Sequence, residues 1–247
     1  MLKSLVNRRA AREEFEIMRQ LDHPNIVKVL ESVEFSFQQC SYFGIAMEFM
    51  PLGDLRTFIN MKNAQSLDDR NWNEKDALIF VAQVVSGLSY LHQKEILHRD
   101  LKPSNILLGE NNRLVIGDFG ISDKLMTTRI TRIVGTDDFL PPEAIENREE
   151  AENLTFSRDM WSCGIVIFMI SYLKHPLTEQ NRIKTMVNIC QGLNLKQKFI
   201  KRTTNSQNAT IFQNYVSKRT LKIVFQMHVC LQKMNISQLF FINSTLA

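Results

Sequence analysis

The segment that decides the fold reads HRDLKPSN at residues 98–105, and DFG at residues 118–120 follows after twelve intervening residues. Asp100, Asn105 and Asp118 place three oxygen-bearing side chains in this short stretch. Oxygen ligands of this kind suit hard cations such as Mg²⁺. Phosphoryl transfer requires little covalent chemistry from the protein, because the site mainly positions the nucleophile and neutralises charge. The segment therefore predicts phosphoryl-transfer chemistry.

Read as HRDxxxxN followed by DFG, the two motifs resemble the catalytic loop and the metal-binding loop of eukaryotic protein kinases. The resemblance implies that Asp100 accepts or orients the proton of a substrate hydroxyl. Asn105 and Asp118 would hold the Mg²⁺ ions that bridge the phosphates of ATP. Lys102 would reach the γ-phosphate, and a lysine at this position is similar to the serine/threonine class. Taken alone, Lys102 would be an ordinary surface lysine.

The resemblance covers about residues 10–178 and implies an α+β, two-lobed protein-kinase-like fold. We expect an incomplete small β lobe and a mainly helical large lobe. Residues 1–50 would form the partial small lobe, and residues 51–190 the large lobe with the catalytic loop and activation segment. Residues 191–247 would form a divergent basic C-terminal region. No repeat or linker is visible, which favours one two-lobed domain over two independent domains.

Periodic apolar residues predict two amphipathic helices ahead of the catalytic loop. The first extends from Arg9 to Leu21 and must end before Pro24. It resembles the kinase αC helix, in which Glu14 would pair with the phosphate-binding lysine. On spacing alone, Glu14 is simply one carboxylate of a charged helix. The second helix, Glu74 to Gln93, leads into the catalytic loop.

Two hairpins are predicted from β-rich runs on either side of polar turns. The first joins Val27–Phe37 to Tyr42–Met50 through residues 38–41, and the second joins Ile106–Leu108 to Arg113–Ile116. The second hairpin would bring the DFG motif back beside the catalytic loop. Further along, the DMWSCG sequence from Asp159 resembles the start of the buried αF helix of the family.

The nucleotide pocket is predicted where the first hairpin meets a change from extended to helical sequence, which resembles the kinase hinge. The resemblance makes Met47 the gatekeeper and gives Glu48 and Met50 backbone groups that bind adenine. Asp54 would accept a ribose hydroxyl, and Leu107 would form the floor of the pocket. The implied cofactors are ATP and Mg²⁺. Taken alone, Met47 would be expected to pack in the core.

Upstream of the αC-like helix the sequence departs from the family. The first glycine is Gly44, so no glycine-rich loop precedes that helix, and the two strands that carry the loop are missing with it. Lys3 has the pattern of the tail of the strand that bears the phosphate-binding lysine, with ten residues between it and Glu14. Otherwise Lys3 is a frayed terminal residue. We therefore expect an N-terminally truncated kinase domain whose remaining small-lobe strands expose one face.

The activation segment is predicted at residues 118–143, and it ends in Pro141-Pro142-Glu143, a variant found in Aurora-like kinases. Arg99 resembles the arginine of kinases whose activation segment is ordered by phosphorylation. Arg132 occupies the place of the Aurora phosphothreonine. We therefore expect an activating kinase to phosphorylate Thr131. Otherwise Thr131 is an ordinary exposed threonine.

The charge of the chain is unevenly distributed. Residues 180–247 hold 10 of the 30 basic residues and none of the 26 acidic ones, which leaves 20 basic and 26 acidic residues, a net of −6, in residues 1–179. The C-terminal cations are scattered rather than clustered, so we expect no nucleic-acid binding. A buried Glu143 would need an arginine as its ion-pair partner. The candidate in this region is Arg219, and its assignment rests only on loose spacing.

Composition favours an intracellular globular protein. The chain is 44% hydrophobic and 23% charged, and its four cysteines are widely spaced with no CxxC pair, so neither a disulfide framework nor a zinc site is indicated. No signal-peptide core and no apolar run of membrane-spanning length is present. We expect a soluble protein of the cytoplasm or nucleus.

Three classes of function remain open at this stage. The first is an ATP- and Mg²⁺-dependent kinase that phosphorylates serine or threonine hydroxyls of protein substrates. The second is a catalytically impaired kinase-like scaffold or regulatory module, which the missing N-terminal elements favour. Phosphorylation of a small molecule is the third, and it is disfavoured because such enzymes lack the Gly135-Thr136 to PPE segment that builds a peptide-binding ledge.

Overall fold

A computed structural model describes residues 2–5, 8–37, 40–65, 72–119, 123–124, 137–146, 156–177 and 182–190 of the 247-residue chain. Its strands are β1 (Leu2–Leu5), β2 (Val29–Phe37), β3 (Cys40–Met47), β4 (Ile96–Leu97), β5 (Ile106–Leu108), β6 (Leu114–Ile116) and β7 (Asp123–Lys124). Its helices are α1 (Arg8–Met18), α2 (Leu55–Ala64), α3 (Glu74–Gln93), α4 (Pro142–Glu146), α5 (Phe156–Tyr172) and α6 (Arg182–Cys190). Short 3₁₀ turns lie at Pro103–Asn105, Glu110–Asn112 and Asp137–Phe139.

The small lobe is an antiparallel sheet in the order β1-β3-β2 with α1 against one face. Phe43 and Ile45 alternate along β3 and are buried with Met18 of α1. The opposite side of β2 is open to solvent, with Leu30 and Val33 being 63% and 39% exposed. The expected exposure of the small-lobe strands is therefore observed.

The large lobe is organised around α3 and α5, which pack against each other beneath the β5–β6 hairpin. Phe58, Trp72 and Phe80 form a cluster of aromatic rings with centroids 5.1 to 5.5 Å apart. The indole N–H of Trp72 donates to the carbonyl of Ile170 at 3.0 Å, which ties the start of α3 to α5. A single apolar core continues from the small lobe into the large lobe. The predicted α+β, two-lobed architecture is confirmed.

The helix predictions hold with small shifts at the ends. Helix α3 has the predicted bounds, because the side chain of Asn73 caps it by accepting from the amide of Asp76 at 3.0 Å. Helix α1 ends at Met18 rather than Leu21. The amides of Gln20 and Leu21 donate to carbonyls three residues back, so the chain tightens into a 3₁₀ turn. Helix α5 starts three residues before Asp159.

Both predicted hairpins are present, and the second has nearly the predicted bounds. In the first, Cys40 pairs with Phe37 and Ser41 with Ser36, so these two turn residues belong to the strand. Strand β3 stops at Met47 instead of Met50 because the chain then crosses to the large lobe. There the amide of Leu52 donates to the carbonyl of Leu108 at 3.1 Å.

Several predictions concern residues outside the described part of the chain. These are the activation-segment residues Thr131, Arg132, Gly135 and Thr136, together with Arg219 and the whole C-terminal region 191–247. The side chains of Lys3 and Glu143 lie outside it as well. Among the described residues, no helix has the length and apolar character needed to cross a membrane.

Candidate active site

The catalytic-loop side chains converge on the carboxylate of Asp100. The Lys102 Nζ donates to Asp100 Oδ2 at 2.6 Å, and Asn105 Nδ2 donates to the same oxygen at 3.1 Å. The Asn105 amide also donates to the carbonyl oxygen of Asp100 at 2.9 Å, which locks the loop around the turn Pro103–Asn105. Three of the four predicted catalytic residues therefore lie within hydrogen-bonding distance.

The fourth predicted residue, Asp118, follows strand β6. The hairpin pairs Ile106 with Ile116, and the amide of Gly117 donates to the carbonyl of Asn105 at 2.8 Å. Asp118 is thus carried back to the catalytic loop, as the sequence predicted, and its side chain is exposed. Its φ of 60° lies in the left-handed region, which is uncommon outside glycine and is frequent at functional sites.

A buried carboxylate of α5 holds the catalytic loop from below. Asp159 is 1% exposed and accepts from the amides of His98 at 2.8 Å and Arg99 at 2.7 Å. His92 of α3 lies 3.0 Å from the same carboxylate. Burial alone would raise the pKa of Asp159, but the hydrogen bonds from His92 and the His98 amide bring that pKa below its ordinary value. The anchor also holds Arg99 at a φ of 66°.

His98 connects the catalytic loop to the DFG motif. Its Nδ1 accepts from the amide of Asp100 at 3.3 Å, and its Nε2 lies 2.9 Å from the carbonyl of Gly117. These partners assign the neutral tautomer with the proton on Nε2. The ring also meets Phe119 edge to face, with centroids 5.3 Å apart, and Phe119 is buried. Sequence reasoning assigned no role to His98, although its place in the first motif could have drawn attention to it.

The predicted hinge begins at Met47, which is buried at the end of β3. The amide of Glu48 donates to the carbonyl of Lys28 at 2.9 Å, so of the two backbone groups of Glu48 the carbonyl is the one suited to adenine. The side chain of Met50 is buried against Gly109, where an added Cβ would lie 2.9 Å from the terminal methyl. The hinge backbone is therefore held from both lobes.

An ion pair that sequence reasoning missed connects the hinge to the large lobe. Arg113 donates to both carboxylate oxygens of Glu48, at 2.6 and 3.1 Å, and its Nε donates to the carbonyl of Pro24 at 3.1 Å. Glu48 also accepts from the amide of Lys28 at 2.8 Å. Burial would raise the pKa of Glu48, yet the bond to Arg113 and the Lys28 amide bring it below its ordinary value.

Two further pocket residues have structural contacts of their own. Asp54 caps α2, because its carboxylate accepts from the amide of Thr57 at 2.9 Å and from the Thr57 hydroxyl at 3.1 Å. Leu107 is half-buried in β5, and its Cδ1 lies 3.5 Å from where a Cβ on Gly117 would be. Contact of Asp54 with ribose and of Leu107 with adenine stay predictions.

The predicted lysine and glutamate pair lies in the small lobe. Glu14 of α1 is 3% exposed, which is unusual for a carboxylate unless a cation compensates it. Strand β1 forms hydrogen bonds with β3, and the Cα of Lys3 is paired with that of Ile45. The backbone therefore places Lys3 in the small-lobe sheet, and its pairing with Glu14 stays a prediction.

The residues at the cleft suit Mg²⁺ bound together with phosphate. In the part of the chain that the structure describes, no group of three histidine, cysteine or acidic side chains could form an all-protein metal site. Mg²⁺ is commonly held by one or two carboxylates with substrate phosphates and water rather than by a protein cage. Asp118 and Asn105 provide oxygen ligands of this sort on adjacent backbone segments.

The fold and the side chains around Asp100 together define the class of two-lobed proteins with a kinase-type catalytic loop. The family model described as protein kinase domain matches residues 2–238. The chain belongs to the protein kinase domain family.

Three known proteins show how far the similarity extends. The chain is 33% identical over 174 residues to Aurora kinase A-A of Xenopus laevis, covering 70% of this chain and 39% of that protein. It is 31% identical over 197 residues to the serine/threonine-protein kinase Nek3 of Mus musculus, covering 78% of this chain and 35% of that protein. It therefore spans less than half the length of these relatives. The crystal structure of the yeast RNA Pol II CTD kinase CTDK-1 complex contains a chain of the same fold, with a TM-score of 0.68, 22% identity, and coverage of 92% of this chain and 78% of that one.

Proposed function

We propose that this chain is the catalytic portion of an ATP-dependent protein serine/threonine kinase. The observation that carries the proposal is the convergence of Lys102 and Asn105 on the Asp100 carboxylate. The amide of Gly117, the residue before Asp118, donates to the carbonyl of Asn105 at 2.8 Å. Family membership and the similarity to Aurora and Nek kinases support the same activity.

The residues divide the work of phosphoryl transfer between them. Asp100 orients the substrate hydroxyl and accepts its proton as the new oxygen–phosphorus bond forms, while the bond from the γ-phosphorus to the bridging oxygen breaks and ADP leaves. Lys102, which bonds Asp100 in this structure, is near enough to neutralise charge on the transferred group. Asn105 fixes the loop and offers its amide oxygen to a cation.

ATP and Mg²⁺ are the cofactors that this site would bind. Asp118 and Asn105 would hold Mg²⁺, which supplies neutralisation of the phosphate charge when bound. The carbonyl of Glu48 and the amide of Met50 would receive adenine between Met47 and Leu107. Asp54 at the start of α2 would accept a ribose hydroxyl. Lys3 and Glu14 would form the pair that steadies the phosphates.

The substrate and regulation follow from the same assignment. We propose a protein substrate with a serine or threonine hydroxyl, and an activating kinase that phosphorylates Thr131. The small lobe would comprise residues 1–50, the catalytic large lobe residues 51–190, and the divergent region residues 191–247. A cytoplasmic or nuclear location would suit this function.

One observation favours a second candidate, a kinase-like scaffold with impaired catalysis. Among the described residues the small-lobe sheet has three strands, and no glycine precedes Gly44. The residues ahead of α1 in this sequence contain no glycine-rich stretch of the kind that covers the phosphates in protein kinases. A scaffold would use the same fold without turnover.

Mg·ATP binding and phosphoryl transfer to a generic serine/threonine substrate separate these candidates. Asp118→Ala should abolish transfer, whereas Asp22→Ala, at an exposed carboxylate outside the site, should leave it unchanged. Transfer that depends on Asp118 would eliminate the scaffold-only function. Absence of nucleotide binding at millimolar ATP would eliminate the enzyme function for this chain.

A further inference from the structure

A histidine lies in the loop between α1 and β2, where that loop contacts helix α3. The ring of His23 stacks on Tyr90 of α3, with centroids 4.8 Å apart and an interplanar angle of 23°. Its Nε2 lies 3.3 Å from the hydroxyl oxygen of Ser86, on the same face of α3. The backbone amide of Asp22 donates to the Tyr90 hydroxyl at 3.0 Å. The loop is therefore held to α3 through two positions of one helix face.

The other ring nitrogen of His23 holds the backbone of Asn25. The amide of Asn25 donates to Nδ1 of His23 at 3.1 Å. Because Nδ1 needs a lone pair to accept, these partners assign the neutral tautomer with the proton on Nε2, which then donates to Ser86. The imidazolium would carry a proton on Nδ1 as well, so two donors would face each other and the hydrogen bond would be lost. The contact with Asn25 therefore requires the neutral ring.

Asn25 connects this loop to the strand that leads to Asp118. Its side-chain amide donates to the carbonyl of Leu114 at 2.9 Å, and its backbone carbonyl accepts from the amide of Ile116 at 2.8 Å. Both partners belong to β6, and Asp118 lies two residues beyond Ile116. Asn25 is buried, so protein contacts rather than water determine its position. Loss of the His23 contact would therefore act on β6 through a single residue.

Helix α3 approaches the loop most closely at Gly87. A Cβ added to Gly87 would lie 2.8 Å from the carbonyl oxygen of Asn25 and 3.1 Å from Cδ1 of Ile116. The loop, α3 and β6 therefore meet in one closely packed junction. Packed junctions have little room for intermediate arrangements, so loss of the hydrogen bond favours separation of the loop from the helix.

The charged groups around the ring do not favour an imidazolium. Those that face the loop are Lys94 from α3, Arg113 with its partner Glu48 from the side of β6, and Asp22 within the loop itself. Asp22 is exposed, so water and salt screen its carboxylate. Burial lowers the pKa of His23 below its ordinary value of 6.5. These surroundings keep the ring neutral at neutral pH.

We propose that the His23 cluster, which comprises His23, Asn25, Ser86 and Tyr90, is an acid-sensitive contact that releases the loop from α3 when the ring is protonated. With the neutral ring, Asn25 is held against β6 ahead of Asp118. With the protonated ring, the loop opens and β6 loses the hydrogen bonds that Asn25 makes. The consequence for phosphoryl transfer rests on the proposed function, whereas the opening itself does not.

Native-state hydrogen exchange of the full chain without nucleotide tests the contact. NMR measures the protection factors of the amides of Asn25 and Ile116 at pH 7 and pH 5.5, corrected for the intrinsic pH dependence of exchange. In wild type they should fall severalfold, by up to about tenfold, because the ring titrates near 6.5 in the open loop and stays neutral in the closed loop. In His23→Gln they should not change with pH, because its amide can donate to Ser86 and accept from Asn25 without titrating.

Two controls separate this local contact from general stability. His175→Gln removes a different buried imidazole and should keep the fall at both amides. The amide of Val166 in α5 should have the same pH dependence in wild type and His23→Gln, because α5 takes no part in the contact. An equal response of Asn25 and Ile116 in wild type and His23→Gln would overturn the proposal. So would an equally large effect of His23→Gln at Val166, since His23 would then act on global stability.

The ring itself provides a second readout that needs no variant. In wild type, the ¹⁵N chemical shifts of His23 should report the neutral form with the proton on Nε2 at pH 6.5, where an ordinary histidine is half protonated. A half-protonated His23 at that pH would overturn the proposal even if His23→Gln does not fold.

Phosphoryl transfer by the same two proteins separates this contact from the proposed activity. Between pH 7 and pH 5.5, transfer by wild type should fall more than transfer by His23→Gln. An equal fall would overturn the connection between the contact and the catalytic loop. If neither protein transfers phosphate while the difference in protection holds, the proposed activity fails and the acid-sensitive contact stands.

Discussion

The catalytic loop and the small-lobe sheet differ sharply in how completely their groups are paired. Under the loop, the buried carboxylate of Asp159 accepts hydrogen bonds from the backbone amides of His98 and Arg99, and it lies against His92. In the small lobe, Leu30 is mostly exposed, and Phe49 at the hinge is 72% exposed. The catalytic loop is held by buried hydrogen bonds to the large lobe, whereas the small-lobe side of the cleft exposes apolar side chains to solvent.

This difference indicates where changes should matter. A paired, buried group loses both its own interactions and those it organises when it is replaced. A side chain on an open sheet face has few contacts to lose, and surface substitutions usually change stability very little. Substitutions near the loop should therefore have larger effects than substitutions on the exposed side of β2.

The largest effect is expected at the anchor. Asp159→Asn keeps the volume but replaces one carboxylate oxygen with an amide that cannot accept, so at least one of the bonds to His98, Arg99 or His92 is lost. The free energy of unfolding should fall by about 3 kcal/mol, and phosphoryl transfer should fall with it. Urea unfolding measures the change, with the exposed Asp22→Asn as the control. Equal stability of the two variants would contradict the anchoring role.

A pH effect on stability is expected at His175. The amide of Leu177 donates to its Nδ1, and its Nε2 lies 3.1 Å from the carbonyl of Asp138, which selects the neutral ring. Burial lowers the pKa of His175 to about 4 from 6.5. The unfolded chain therefore gains a proton as the pH falls through 6.5 while the folded chain does not, so stability declines from pH 6.5 to 4, by at most about 1.4 kcal/mol per pH unit.

His175→Gln removes this titration and should flatten that part of the pH dependence. Urea midpoints measured from pH 7 down to pH 4.5 for both proteins provide the comparison. Parallel curves for wild type and His175→Gln would show that the ring does not titrate as described.

A smaller effect is expected at the ion pair between the hinge and the large lobe. Arg113→Met breaks both bonds to Glu48 and the bond to Pro24. Because the pair is partly solvated, its loss should weaken ATP binding by about 1 kcal/mol. This corresponds to roughly a fivefold rise in KM for ATP, with little change in kcat. Arg19→Met, which breaks an exposed pair with Glu16, is the matched control. Equal KM values for the two variants would exclude a role of Arg113 in positioning the hinge.

The smallest effect is expected on the open sheet face. Val33→Thr exchanges an exposed methyl for a hydroxyl and keeps the branched shape that suits a strand. Stability should change by less than about 0.5 kcal/mol, measured by urea unfolding. A loss comparable to that of Asp159→Asn would show that the face is covered in solution.

The sequence predicted those features whose residues are neighbours in the chain. The catalytic loop could be recognised from the sequence because Asp100, Lys102 and Asn105 lie within six consecutive residues. The bounds of α3 could be predicted because its helical pattern of apolar residues continues along the whole helix and Asn73 caps its start.

Contacts between distant segments left no comparable signal in the sequence. His92 and Asp159 are 67 positions apart, and Glu48 and Arg113 are 65 positions apart. Each looks like an ordinary polar residue until the fold brings it to its partner.

The most direct test of the central assignment compares wild type with Asp100→Asn, which keeps the shape of the side chain but removes its basicity. Calorimetry should give equal Mg·ATP affinity for the two proteins, while the rate of phosphoryl transfer to a serine/threonine substrate should fall by about 10²–10⁴-fold in the variant. Equal transfer rates in the presence of equal nucleotide binding would contradict the role of the Asp100 carboxylate.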